Sequence, residues 1–254
     1  MKKALLTIAG FDPTSGAGAT LDLKVFHHFG FYGLAVLSAI TIQSSSHVFR
    51  VKALSADLLL EQYRKLQADF KLSGLKLGMI GTGSNLTAVE EIISENQKQP
   101  RVVDPVFRSS SGKWLLEKKY ISLYLQVLSG RITLITPNLD EASLLLERKI
   151  KTVKEMEEAA RNLSYLTDSA ALVKGGHLQD KAIDVLYDGR NLFHFEKKKL
   201  PFEVHGTGCF LSSAILCFLA DGLSLSEACQ KASSTIYHFI QSSIKISNRR
   251  LFDI

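Results

Sequence analysis

The residues able to do chemistry gather at a few points of the chain. Gly206-Thr207-Gly208-Cys209 and Gly81-Thr82-Gly83-Ser84 each precede a helical pattern. Each can therefore offer free N–H groups and the positive end of a helix dipole to an anion. A thiol at a helix start is expected to ionise more readily than a free one, which makes Cys209 a candidate base or nucleophile, with a packing role as the alternative. Glycine spacing alone does not rank the two motifs. A third stretch, residues 10–18, holds Gly10, Gly16 and Gly18 but matches neither G-x-G-x-x-G nor a Walker A loop. It reads as a backbone cradle for a ligand or as a tight strand-to-helix turn.

Acidic and amide groups occupy the next strand ends: Asp104-Pro105, then Thr136-Pro137-Asn138-Leu139-Asp140-Glu141. Oxygen ligands of this kind suit Mg²⁺, which keeps waters and binds beside phosphates. Asn138 followed by Glu141 also fits a helix capping box, and the two roles are compatible. Lys174, before Gly175, Gly176 and His177, is placed to reach a phosphate as a point charge. The sequence has no H-E-x-x-H and no G-x-S-x-G, and the adjacent His27 and His28 cannot share one helix face. Anion cradles, candidate Mg²⁺ oxygens, a lysine and one thiol match phosphoryl transfer better than hydride transfer or hydrolysis. On residue chemistry alone this is a kinase or phosphatase without a P-loop.

The elements that must position these groups alternate along the chain. Residues 3–9, 33–42, 75–79, 101–103, 132–135 and 170–173 read as strands. Residues 19–29, 55–70, 85–97, 139–146, 153–166, 207–220 and 224–241 carry helical spacing. Residues 183–187 and 191–195 flank Asp188-Gly189, a hairpin signal. Strand–helix alternation predicts an α/β fold with a mostly parallel sheet and helices on both faces. No linker composition or internal repeat interrupts it, so residues 1–254 read as a single domain. In such sheets ligands bind beyond the carboxyl ends of the strands, where all the singled-out loops fall.

Composition narrows the classes further. With 254 residues, 46% apolar and 22% charged, the chain has an ordinary globular make-up, and disorder, collagen and coiled coil are excluded. No apolar run approaches the ~18 residues that cross a bilayer. The first apolar run meets Asp12 and Pro13 too early for a secretory signal, so a cytoplasmic location is expected. The formal charge of +6 is diffuse; its one dense cluster, Lys197–Lys199, lacks interleaved aromatics and reads as a solvated loop rather than a nucleic-acid surface. Cys209, Cys217 and Cys229 are odd in number and widely spaced, which implies free thiols rather than disulfides or a zinc cluster.

These residues also resemble, in order and over nearly the whole chain, the hydroxymethylpyrimidine/phosphomethylpyrimidine kinases of thiamine biosynthesis, a branch of the ribokinase superfamily. The likeness is carried by Leu6–Gly10 with Asp12-Pro13, Gly16-Ala17-Gly18, Asp22-Leu23-Lys24, Gln43, Lys76–Met79, Val103–Val106, Ile135–Asn138 with Glu141-Ala142, Val173–His177 and His205–Cys209. The resemblance implies a ribokinase-like three-layer α/β/α fold and ATP-dependent phosphorylation of 4-amino-5-hydroxymethyl-2-methylpyrimidine, and then of its monophosphate. It selects Gly206–Cys209 over Gly81–Ser84, with Cys209 as base and Gly206, Thr207 and Gly208 as anion hole. Gly10, Asp22, Gln43, Met79 and Val106 become the pyrimidine pocket. Lys174, Asn138 and Glu141 become ATP-binding residues, and Asp104 and Glu141 organise Mg²⁺. A homodimer acting on small molecules, with no nucleic acid or membrane partner, is the corresponding expectation. Phe11, Ser15-Gly16 and Ser44-Ser45 depart from the family pattern. All lie in the first two pocket loops and bear on the acceptor, for which pyridoxine or pyridoxal is the alternative.

Overall fold

Alternation along the first strand builds two cores at once, because successive strand side chains point to opposite faces. β1 (Ala4–Phe11) sends Leu6 and Ile8 into one buried cluster and Leu5 into the other. The computed structural model describes residues 2–44, 46–176, 182–247 and 249–254. After β1 come α1 (Gly18–His28), β2 (Tyr32–Gln43), β3 (Val48–Ala53), α2 (Ala56–Asp69), β4 (Leu72–Leu77), α3 (Asn85–Glu95) and β5 (Arg101–Val103). The chain continues through α4 (Ile121–Leu128), β6 (Leu134–Ile135), α5 (Leu139–Leu145), α6 (Val153–Thr167), β7 (Ala170–Gly175), β8 (Ala182–Tyr187) and β9 (Leu192–Lys197). It closes with α7 (Thr207–Ala220), α8 (Leu225–Gln241) and the small hairpin β10 (Ile244–Ile246) and β11 (Arg249–Leu251).

Nine strands form one sheet in the order β3-β2-β1-β4-β5-β6-β7-β8-β9. From β2 to β7 the neighbours are parallel; β3, β8 and β9 add on antiparallel. Helices α1, α7 and α8 supply one core, with Leu21, Phe26, Phe210 and Ile236 buried. Helices α2, α3, α4 and α6 supply the other, around Leu59, Tyr63, Ile92, Tyr124 and Met156. The strand order reverses between β1 and β4, and such a switch opens a crevice at the carboxyl edge. Local signals fix the helix starts: Ser55 accepts the Leu58 N–H at 3.3 Å, and Asn138 and Thr152 each complete a capping box. Among the described residues no helix is long and apolar enough to cross a membrane.

Four features differ from the sequence reading. β3 is an edge strand whose Arg50 and Lys52 mask its pattern, and α4 is a helix of only eight residues. Lys197 belongs to β9 rather than to a solvated loop and pairs with Asp184 at 2.8 Å. The terminal β10–β11 hairpin pairs Ile244 with Leu251 and lies over the mouth of the crevice.

Candidate active site

Beyond the carboxyl ends of β1, β4, β5, β6 and β7 lies a cavity of about 1310 Å³. Its floor is set by the start of α7. Gly206 caps that helix at φ +84°, and a Cβ there would stand 2.0 Å from the Gly16 carbonyl oxygen. Only glycine satisfies both conditions. No side chain caps the helix, so its first N–H groups are left for a ligand. Gly208 follows for a reason of proximity: a Cβ on it would lie 3.0 Å from Lys174 Nζ and 3.4 Å from Asp104 Oδ2.

Lys174 and Asp104 come from the ends of β7 and β5 and form a direct pair, Nζ donating to Oδ1 at 2.7 Å. Burial opposes both charges, yet the pairing wins. Asp104 stays below the ordinary carboxylate range, helped by Lys174, Lys76 and a hydrogen bond from Cys209, and Lys174 stays above the ordinary ammonium range beside Asp104 and Glu141. Glu141 and Asn138 close the side toward α5. The Asn138 N–H donates to Glu141 Oε2 at 2.8 Å, and the Glu141 N–H donates to Asn138 Oδ1 at 2.9 Å, so the capping reading holds. Loss of water around Glu141, with Asp104 nearby, pushes its carboxyl up to about 8 although Lys174 pulls the other way.

Cys209 sits in the first turn of α7, where the dipole was expected to lower its thiol. Burial instead pushes it up to about 12; Asp104 and Asp22 add to this, while Lys76 and the Gly18 N–H oppose it. Burial, not the position at a helix start, decides this thiol. Lys76 is the residue that motif reading left without a role. It is fully buried and donates to both Asp22 oxygens at 2.9 Å, while Asp22 also accepts from Thr7 at 2.6 Å and Ser213 at 2.9 Å. Asp22, assigned to the acceptor by resemblance, is thus fully buried beneath Lys76 and does not line the cavity; Lys76 does. An apolar strand interrupted by one lysine was the available signal.

The upper part of the cavity is made by loops. Gly10, Gln43, Met79 and Val106 all line it, with Phe11 beside them. Gln43 donates its amide N–H to Asp12, so its carbonyl oxygen is the group left for an acceptor. Asp12 also accepts the Thr14 N–H and hydroxyl, each at 2.8 Å, and faces His205 at 3.5 Å. Burial raises its carboxyl, but His205 and Thr14 hold it below the ordinary range. Ser15 takes φ +57°, a conformation glycine reaches without strain. Ser44 lines the cavity; Ser45 and His177 lie outside the described residues. The Gly81–Ser84 motif packs against Tyr120 and Ala53 and does not line the cavity.

The architecture and the position of the cavity define a ribokinase-like α/β/α protein, and solved structures of that kind superpose on the chain. A pyridoxal kinase from Staphylococcus aureus in complex with pyridoxal matches with TM-score 0.91 at 28% identity, covering 100% of this chain and 93% of that one. A phosphomethylpyrimidine kinase from Clostridium difficile matches with TM-score 0.81 at 32% identity, over 94% of this chain and 100% of that one. The model of the phosphomethylpyrimidine kinase family matches residues 12–251, and the chain belongs to that family. The hydroxymethylpyrimidine/phosphomethylpyrimidine kinase of Aquifex aeolicus is 35% identical over 243 residues, 95% of each chain.

Proposed function

We propose that the chain is an ATP-dependent hydroxymethylpyrimidine/phosphomethylpyrimidine kinase, one unit over residues 1–254. It phosphorylates 4-amino-5-hydroxymethyl-2-methylpyrimidine at its hydroxymethyl oxygen and then adds a second phosphate to the monophosphate. The observation that carries this reading is the uncapped, glycine-built start of α7 beside the Lys174–Asp104 pair, at the floor of a cavity roomy enough for two substrates.

The acceptor would lie between Met79 and Val106, with Gln43 Oε1 available to an exocyclic amine. The triphosphate would lie toward Lys174, Asn138 and Glu141. The N–H groups at Gly206, Thr207 and Gly208 would receive the charged oxygens, and Lys174, beside Gly208, would neutralise them. Among the described residues no cluster of three or more His, Cys, Asp or Glu is placed to hold a metal ion. Two carboxylates, Asp104 and Glu141, suit Mg²⁺, which takes one or two protein oxygens and fills its shell with phosphate and water. Mg²⁺ would supply charge neutralisation on the phosphates. Cys209 is the proposed base. Its thiol holds its proton when the site is empty, which a loose phosphoryl-transfer transition state tolerates, because little proton removal precedes cleavage of the phosphorus–oxygen bond. Positioning then carries most of the rate. With the family reading go a homodimer and a cytoplasmic location, the former testable by sedimentation.

Coupled ADP release with Mg²⁺-ATP, comparing the pyrimidine with pyridoxal at matched concentrations, tests the proposal. Preference for the pyrimidine supports it. Preference for pyridoxal would move the protein to vitamin B6 salvage, a second reading favoured by the close superposition on the pyridoxal kinase.

A further inference from the structure

The acceptor part of the cavity is walled by two loops, one through residues 44, 46 and 47 between β2 and β3 and the other through residues 106–114 after β5. The second loop is anchored on the start of β3, directly after the first: the Val48 N–H donates to Ser111 Oγ at 3.4 Å, and Lys113 Nζ donates to the Phe49 carbonyl. A third element joins them from the far end of the chain. Arg249, on β11, donates from one guanidinium nitrogen to Ser110 Oγ at 3.2 Å and from the other to the Ser46 carbonyl at 3.1 Å. Only a planar fork reaches two acceptors on separate loops in this way; a lysine ammonium is a point donor.

The hairpin that carries Arg249 is itself fixed to the catalytic floor. Phe252 is buried and its ring packs tilted against Phe210, the residue after Cys209, with centroids 4.7 Å apart. The His205 N–H donates to the Arg250 carbonyl at 3.0 Å. Leu251 closes on the first pocket loop, where a Cβ on Gly16 would stand 2.9 Å from its Cδ2. One short strand therefore touches the first pocket loop, both acceptor loops and the segment entering α7.

We propose that Arg249 is a positioning residue for the acceptor: it bolts the two acceptor loops together and holds them in register with the start of α7. The identity of the acceptor rests on the kinase reading; the bolt itself does not. Ordering two loops before binding removes an entropic cost that would otherwise weaken acceptor affinity. Nucleotide binding, on the opposite wall, is independent of it.

The chain provides its own probe. Trp114 is the single tryptophan, lies at the end of the second loop and is 37% exposed, with the Arg108 guanidinium 4.0 Å from its ring centroid. Acrylamide quenching of Trp114 in the full chain should rise in Arg249→Met, remain intermediate in Arg249→Lys and rise partly in Ser110→Ala. In the double variant Arg249→Met/Ser110→Ala it should rise no further than in Arg249→Met. In steady-state assays Arg249→Met should raise the acceptor KM about fivefold, the range of one or two lost charge-assisted hydrogen bonds, with kcat and the ATP KM unchanged. Unchanged quenching in Arg249→Met would overturn the proposal, as would acceptor and ATP KM rising together. Where Arg249→Met does not fold, Ser110→Ala decides by the same quenching measurement. A wild-type protein that phosphorylates neither the pyrimidine nor pyridoxal defeats the kinase reading while the quenching result still decides the bolt.

Discussion

The floor and the rim of the cavity are held by different physics. At the floor, Lys76–Asp22 and Lys174–Asp104 are buried ion pairs carried on strand ends and on α1, and α7 adds the Ser213 hydroxyl to Asp22. Neither pair can rearrange without leaving a charge unpaired in a poorly solvated interior. At the rim, hydrogen bonds at or near the surface tie Arg249 to Ser110 and Ser46, Ser111 to the Val48 N–H and Lys113 to the Phe49 carbonyl. Each such bond contributes about 1 kcal/mol or less, so the rim changes composition at small cost. The contrast gives a physical reason for the family departures at Phe11, Ser15 and Ser44 to fall at the rim while Gly206–Cys209, Asp104 and Lys174 are intact. On the proposed function, transfer chemistry would be fixed by the floor and acceptor choice left to the rim.

The contrast breaks most visibly at Cys209. Cys209→Ser should lower kcat by roughly 10²–10⁴, the usual contribution of a positioned proton acceptor, and leave the acceptor KM nearly unchanged. Equal losses in both would make Cys209 a packing residue of the floor. Next in size, Lys76→Met leaves the Asp22 carboxylate buried without its ammonium, and loss of one partner of a buried pair costs about 3–5 kcal/mol. Urea unfolding should show that drop, and Lys76→Met combined with Asp22→Asn should recover part of it. An unchanged urea midpoint in the single variant would show that the floor is not held by this pair.

A smaller effect tests the nucleotide side of the floor through pH. The Glu141 carboxyl is raised from 4.5 to about 8 in the folded, ligand-free protein. Between those values the unfolded chain has lost a proton that the folded protein keeps, so stability falls as pH rises through this window and levels off above it. Denaturant midpoints from pH 5 to pH 8 should show the decline in the wild type and a flatter profile in Glu141→Gln. The amide keeps the capping geometry while removing the titration. The same slope in both proteins would place Glu141 in a better solvated setting.

The floor was also the part most legible in the sequence. Asp104, Asn138, Glu141 and Lys174 each follow an apolar run, and a parallel sheet brings all strand ends to one edge, so their convergence follows from topology, while Gly206–Cys209 is marked by its glycines before a helical pattern. Asn138 and Glu141 were readable as a capping box because that signal is local. What escaped depended on long-range partners. The raised thiol of Cys209 comes first from burial under distant elements and then from Asp104 and Asp22, which lie 105 and 187 positions upstream in the numbering. Burial of Asp22 needs Lys76 and Ser213, and neither can be paired with it from spacing alone. At α4, Ile121, Tyr124 and Leu128 do carry i, i+3, i+7 spacing, but over eight residues that follow a 3₁₀ turn it does not stand out. The Arg249 bolt joins residues 139 and 203 positions apart on short, polar stretches where periodicity says nothing.

The finest test of the division between floor and rim lies at Phe11. It ends β1, lines the acceptor wall and accepts the Thr41 hydroxyl through its backbone carbonyl at 2.9 Å, a contact that survives any side chain. Phe11→Ser therefore removes ring volume without altering the strand end. The wider wall should favour pyridoxal, whose ring carries more substituents than the pyrimidine. Pocket changes of this size alter discrimination by about tenfold. The ratio of kcat/KM for pyridoxal to that for the pyrimidine should rise by up to that factor, with the ATP KM unmoved. If the ATP KM shifts in step, Phe11 reaches the floor through Asp12 and His205, and acceptor choice is not separable from transfer. If neither moves, the ring packs on the rim without meeting the acceptor, and the serine pair after Gln43 becomes the next position to revert.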